Sequence, residues 1–176
     1  GGFVLGTSHD RVGLLMAHEL GMRVYSVDYT LSPQAAFPVA VNQSLAVYRA
    51  LVAQHDPRKV VAFASSAGGN LLLSMLVEAK AQQVPMIAAI AVYTPVTDLS
   101  GVGDSVSANN GRDSLVKNIR VEVPAKYYAP GQDLRSAKVS PVYADYSADF
   151  PATVLTTGTR DLNLSDVVRQ HWRLTK

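Results

Sequence analysis

The chain has 176 residues, a net charge of +2 and no cysteine, with 48% apolar and 17% charged side chains. That is enough for one domain with a real core and too apolar for a disordered chain. It excludes a disulfide framework and a cysteine nucleophile, and without clustered Lys/Arg among aromatics it argues against nucleic-acid binding. The missing cysteines fit a reducing compartment, so the expected location is the cytoplasm. Neither a signal peptide nor an apolar run of membrane-spanning length is visible, so no stable membrane insertion is expected.

In chain order, Gly1-Gly2-Phe3-Val4-Leu5-Gly6 reads as the end of a strand and a glycine-rich loop. Residues 11–20 predict a helix, with Ser8 or Asp10 as cap and Gly21 as stop signal. Residues 22–28 predict a strand, followed by a proline-marked loop through Pro33 and Pro38. Val41, Leu45, Tyr48 and Val52 fall on one helical face, which predicts an amphipathic helix over residues 39–54.

Next, Lys59-Val60-Val61-Ala62 leads as a buried strand into Phe63-Ala64-Ser65-Ser66-Ala67-Gly68-Gly69-Asn70. An apolar helix follows, over about residues 67–82. Strand, tight turn, serine, helix is the layout of a nucleophile elbow, in which a sharp turn lifts the serine hydroxyl above the sheet edge. An ordinary β-to-α turn needs small residues too, and these residues alone leave both readings open.

Residues 86–93 are continuously apolar, as expected for a strand buried on both faces. Residues 94–150 are long and rich in Asn, Ser, Gly and Asp, with a short helix expected over 123–128. A segment of that length inside one domain reads as a lid or pocket-covering insertion. Residues 152–157 predict a further strand, and Ser165-Asp166 are expected to cap a last helix. Strands alternating with helices give a mostly parallel α/β sheet with helices on both faces.

In such sheets active residues gather at the carboxyl ends of strands. Ser66, Asp98 and Asp161 all fall there. Acyl transfer by a serine needs a base, a carboxylate to orient it, and donors for the oxyanion. Ser66 can serve as nucleophile, and Gly1, Gly2 and Ala67 can supply backbone donors. Asp161 can serve as the orienting carboxylate or simply cap a helix. The base is missing. His9 and His18 precede the serine, His55 lies at the opposite sheet edge, and His171 sits roughly 10 Å along the final helix from the catalytic edge. No histidine in these residues completes a triad.

Several motifs together resemble the hormone-sensitive-lipase-like carboxylesterases of the α/β-hydrolase fold. Gly1-Gly2-Phe3 resembles the tail of their His-Gly-Gly-Gly-Phe motif. The stretch Asp28-Tyr29-Thr30-Leu31-Ser32-Pro33-Gln34, with Phe37-Pro38 and Tyr48, resembles a second, and Ser66-Ala67-Gly68-Gly69-Asn70 matches their elbow. Thr97-Asp98-Leu99, Ser140-Pro141, Gly158-Thr159-Arg160-Asp161 and Leu164-Ser165-Asp166 follow in the same order.

The resemblance implies a serine esterase for short-to-medium acyl esters, working without metal or cofactor. Ser66 would be its nucleophile, Asp161 its triad acid, and Gly1, Gly2 and Ala67 its oxyanion hole. It also implies that the triad histidine follows Asp161 by about thirty residues, in the chain order Ser, Asp, His. Residues 1–176 then read as a single truncated α/β-hydrolase core, a partial fold that can lack activity by itself. An exposed sheet edge would favour a homo-oligomer. Ala64 stands where the elbow usually has glycine, Gln34 where glutamate is usual, and Val96 where tryptophan is frequent. The alternative reading is a non-catalytic α/β-hydrolase-like module that binds a small molecule in the same pocket.

Overall fold

The computed structural model describes residues 8–113 and 122–176. Three parallel strands form the sheet, in the order β1 (Val61–Ser65), β2 (Ala89–Tyr93), β3 (Ala152–Thr156). The helices are α1 (Ser8–Leu20), α2 (Val39–Gln54), α3 (Ser66–Ala81), α4 (Asp104–Ala108), α5 (Glu122–Tyr128) and α6 (Leu164–Leu174). All three strands point the same way, so the chain leaves each of them at one edge of the sheet, and residues 66, 94 and 157 start from that edge.

The core lies on one side of the sheet. Ile90 and Val92 are 1% exposed, and Leu73, Leu76 and Ala79 of α3 are fully buried. Val41, Leu45 and Tyr48 of α2 join them, with Val52 partly buried at the edge of the cluster. These are the positions that a 3.6-residue period places on one face. Tyr48 keeps its hydroxyl satisfied inside this core by donating to the Pro85 carbonyl at 2.7 Å. On the other side, Val61, Phe63, Tyr93 and Val154 are 44% to 60% exposed. The parallel sheet is as expected, and among the described residues the helices that bury it lie on one face.

Residues 22–28, expected as a strand, do not form one, and residues 23–30 carry no regular secondary structure. β-propensity depends on a pleated neighbour to pair with, and no described strand lies beside them. They are held instead by side chains. The Thr30 N–H donates to Gln43 Oε1 at 2.8 Å, and Gln43 Nε2 donates back to Thr30 Oγ1 at 3.0 Å. The last helix also differs from expectation: it starts at Leu164 with Asn163 as N-cap, and Asp166 lies inside its first turn.

The segment 94–150 is anchored at several points. Leu99, Ala125, Ala129 and Val139 form a second apolar cluster. Asn70 Nδ2 donates to the Val139 carbonyl at 3.1 Å, and the Val142 N–H donates to the Thr97 carbonyl at 3.2 Å. The expected helix over 123–128 is α5.

Candidate active site

β1 ends at Ser65 in extended backbone (φ −137°, ψ 152°), and Ser66 turns at once to φ 52° as α3 begins. That left-handed conformation is costly for a residue with a Cβ, and it directs an exposed serine off the end of the strand. The Ser66 carbonyl is held by the Val96 N–H at 3.2 Å. Ala64, at the usual glycine position, keeps its ladder pairing with Val92, so β1 runs regularly up to the turn.

The crowding that demands small residues is at Gly69. A Cβ there would lie 2.7 Å from Pro95 Cβ and 2.8 Å from Val92 Cγ1, whereas one on Gly68 would meet nothing within 4 Å. The amide of Ala67 belongs to the first turn of α3, where backbone N–H groups have no intrahelical acceptor. Gly1 and Gly2, the other expected oxyanion donors, lie outside the described residues.

Asp161 sits five residues beyond β3 on a loop that holds its carboxylate in place. Oδ1 accepts the Asn163 N–H at 2.8 Å, and Oδ2 accepts the Thr157 hydroxyl at 3.0 Å. Asn109, just past α4, donates its Nδ2 to the carbonyls of Asp161 (2.9 Å) and Thr159 (3.3 Å). No histidine among the described residues is hydrogen-bonded to Ser66 or Asp161. His18 is exposed on α1, His55 bonds the Tyr25 hydroxyl at 3.1 Å, and His171 lies against Trp172.

Asp98 is engaged structurally. Its side chain is fully buried and accepts from Arg169 Nη1 (2.5 Å), Ser100 N–H (2.8 Å), Ser100 Oγ (2.5 Å) and Tyr143 Oη (2.9 Å). Burial pushes its carboxyl up, but these donors together outweigh that and hold it below the usual range. Asp166 goes the other way. Burial pushes it up to about 6, opposed by the N–H groups of Asp98 and Thr97 and reinforced by the Asp98 charge. Sequence reasoning did not single out Asn109, Asn163 or Asp166 for the site, because their partners lie about 50 to 69 residues away in the chain.

An open cleft of about 510 Å³ lies beside this edge, lined by Asp104, Asn109, Thr159, Leu164, Val168 and Arg169 among others, and neither Ser66 nor Asp161 lines it. Among the described residues no cluster of three or more His, Asp and Glu is placed to hold a metal ion, and no helix is long and apolar enough to cross a membrane.

The alpha/beta hydrolase fold family matches residues 1–176. An esterase of Acinetobacter venetianus is 28% identical over 174 residues, covering 96% of this chain and 57% of the relative. A crystallised esterase superposes with a TM-score of 0.90 at 37% identity, over 99% of this chain and 54% of that one. An esterase of the bacterial hormone-sensitive lipase family superposes at 0.91 with 32% identity, over 99% of this chain and 60% of its own. The chain therefore spans a little over half the length of the relatives it matches. It belongs to the α/β-hydrolase fold family.

Proposed function

We propose that the full-length protein hydrolyses carboxylic esters of short-to-medium acyl chains through an acyl-enzyme on Ser66. The observation that carries this reading is the backbone of Ser66: a non-glycine residue at φ 52° between a parallel strand and a helix, in a family whose relatives are named esterases. Such strain persists where the surrounding structure over-determines it, and here it exposes a hydroxyl. In the reaction, Ser66 Oγ attacks the acyl carbonyl and loses its proton to a histidine base. The oxyanion is met by the Ala67 N–H and by those of Gly1 and Gly2. Collapse releases the alcohol, and a water then frees the carboxylic acid. Asp161, already fixed by Thr157 and Asn163, orients the base. The chain order Ser, Asp, His puts that base beyond Asp161. Residues 94–150 would cover the pocket, and the absence of cysteine suits work in the cytoplasm.

The test is a fluorophosphonate probe on the full-length protein and on its Ser66→Ala variant, with p-nitrophenyl acetate, butyrate and octanoate as substrates. Adduct on the Ser66 peptide, with turnover lost in Ser66→Ala, is the expected result. A second reading, a non-catalytic small-molecule receptor, draws on both Asp161 oxygens being satisfied within their own loop. A folded full-length protein that neither labels nor turns over ester would overturn the first reading, and saturable binding of a small molecule by that protein would then support the second.

A further inference from the structure

We infer that Asp166 is a positioning residue for the proposed reaction, tying the first turn of α6 to residues 97–98 and so fixing the separation of Ser66 and Asp161. The inference rests on that reading of Ser66 and Asp161. It begins with the five residues that leave β2, which bond alternately to the two sides of the site. Thr94, at φ 40°, donates its N–H to the Thr156 carbonyl at 2.8 Å, and its carbonyl accepts Asn163 Nδ2 at 3.0 Å. Two residues on, the Val96 N–H reaches the Ser66 carbonyl at 3.2 Å. Then the N–H groups of Thr97 and Asp98 both donate to Asp166 Oδ2, at 2.8 and 2.9 Å, and Thr97 Oγ1 donates to the Asp166 carbonyl at 3.1 Å.

The strap thus holds the serine turn in its middle and α6 at both ends. Asp166 is 4% exposed, so an unsatisfied oxygen there would be costly, and the two converging N–H groups are what make the site habitable for it. From Asp166 the path to the acid is short. α6 starts two residues earlier, Asn163 caps it, and the Asn163 N–H holds Asp161 Oδ1. Rotation or translation of α6 would move Asp161 relative to a serine turn anchored on the same strap. Neither Asp166 nor Thr97 touches substrate in this scheme. They set a distance.

The test uses the full-length protein and p-nitrophenyl butyrate, with active sites counted by fluorophosphonate titration so that misfolded protein does not enter kcat. Asp166→Ala is expected to lower kcat per titrated site about tenfold with KM within about twofold, the pattern of a misplaced catalytic group. Asp166→Asn keeps an oxygen facing both amides and is expected to recover most of that loss. Thr97→Val removes only the hydroxyl bond to the Asp166 carbonyl and is expected to slow each site about threefold. It decides the question with Asp166→Asn if the alanine variant does not fold. Turnover per site equal to wild type in Asp166→Ala, or in Thr97→Val when that variant decides, overturns the inference. So does a loss in Asp166→Asn as large as in Asp166→Ala. Failure of the underlying esterase reading looks different, with turnover absent in the wild type or surviving in Ser66→Ala. Amide hydrogen exchange would then read the tether directly: faster exchange at residues 161–163 as well as 97–98 in the weakened variant supports it, and a change confined to 97–98 overturns it.

Discussion

Ser66 carries a backbone that a glycine would adopt without strain, at a cost of about 1 kcal/mol or more to a residue with a Cβ. Ser66→Gly is therefore expected to raise stability in urea unfolding by about 0.5–1 kcal/mol, net of glycine's greater freedom in the unfolded chain, while abolishing fluorophosphonate labelling. Ser66→Ala abolishes labelling without that gain. Gly69 behaves oppositely. A methyl there meets Pro95 and Val92 at 2.7–2.8 Å, so Gly69→Ala is expected to lose about 1–3 kcal/mol in the same measurement.

Asp166 gives a pH signature. With its folded carboxyl raised to about 6 and the unfolded one near 3.8, the native state binds the extra proton between those values. Stability then falls as pH rises through that window, by roughly 3 kcal/mol at most. Asp166→Asn removes this slope, so the stability difference between variant and wild type should shift in favour of the variant from pH 4 to pH 6.5. A parallel pair of curves would refute the assignment. Ser66 was legible in the sequence because strand, small residues and helix are adjacent there. The need for Gly69 was not, since it arises from Pro95 across the sheet edge.

Among the elements, α2 was legible to the residue, because its apolar period is also its buried face. Residues 22–28 misled for the complementary reason: a strand-prone run forms a strand only when a partner strand is there to pair with it. α6 was legible as a helix and illegible as a brace. Asp166 is expected from the sequence only as a cap and Arg169 does not stand out there, yet they reach Thr97 and Asp98. Arg169→Ala leaves a fully buried Asp98 carboxylate with only Ser100 and Tyr143. A broken buried pair costs about 3–5 kcal/mol, and because Arg169 is a third exposed the loss should lie at or below the lower end of that range. Thermal or urea unfolding of Arg169→Ala at pH 7 measures it. Asp161 is proposed as the acid from its place in the chain order, whereas the loop that carries it is held by Asn109 of a different element, which the sequence does not point to.

At the scale of the molecule, the parallel sheet was legible from the alternation of strands and helices. Which face stays open was not, because that depends on what else packs. Among the described residues β1 and β3 are the two edges of a three-stranded sheet, and the face carrying Val61, Phe63, Tyr93 and Val154 is exposed. Unpaired edges recruit further strands. Residues 1–176 expressed by themselves are expected to self-associate with rising concentration, and a monomer by light scattering up to 100 times the loading of a dilute sample (on the order of micromolar to 0.1 mM) would contradict that.

The bonds that brace the site also have an order in time. The Ser66 turn is made from a strand and a helix that are neighbours in the chain, but Thr97, Asp98 and Thr94 find Asp166 and Asn163 only 68 or 69 residues later. At a synthesis rate of about 5–20 residues per second, the stretch from the serine to α6 takes several seconds to follow it out. During that interval the turn at Ser66 can exist while the loop of Asp161, the proposed acid, cannot be placed against it, so the nascent chain carries its serine before it carries the bonds that fix the two loops together.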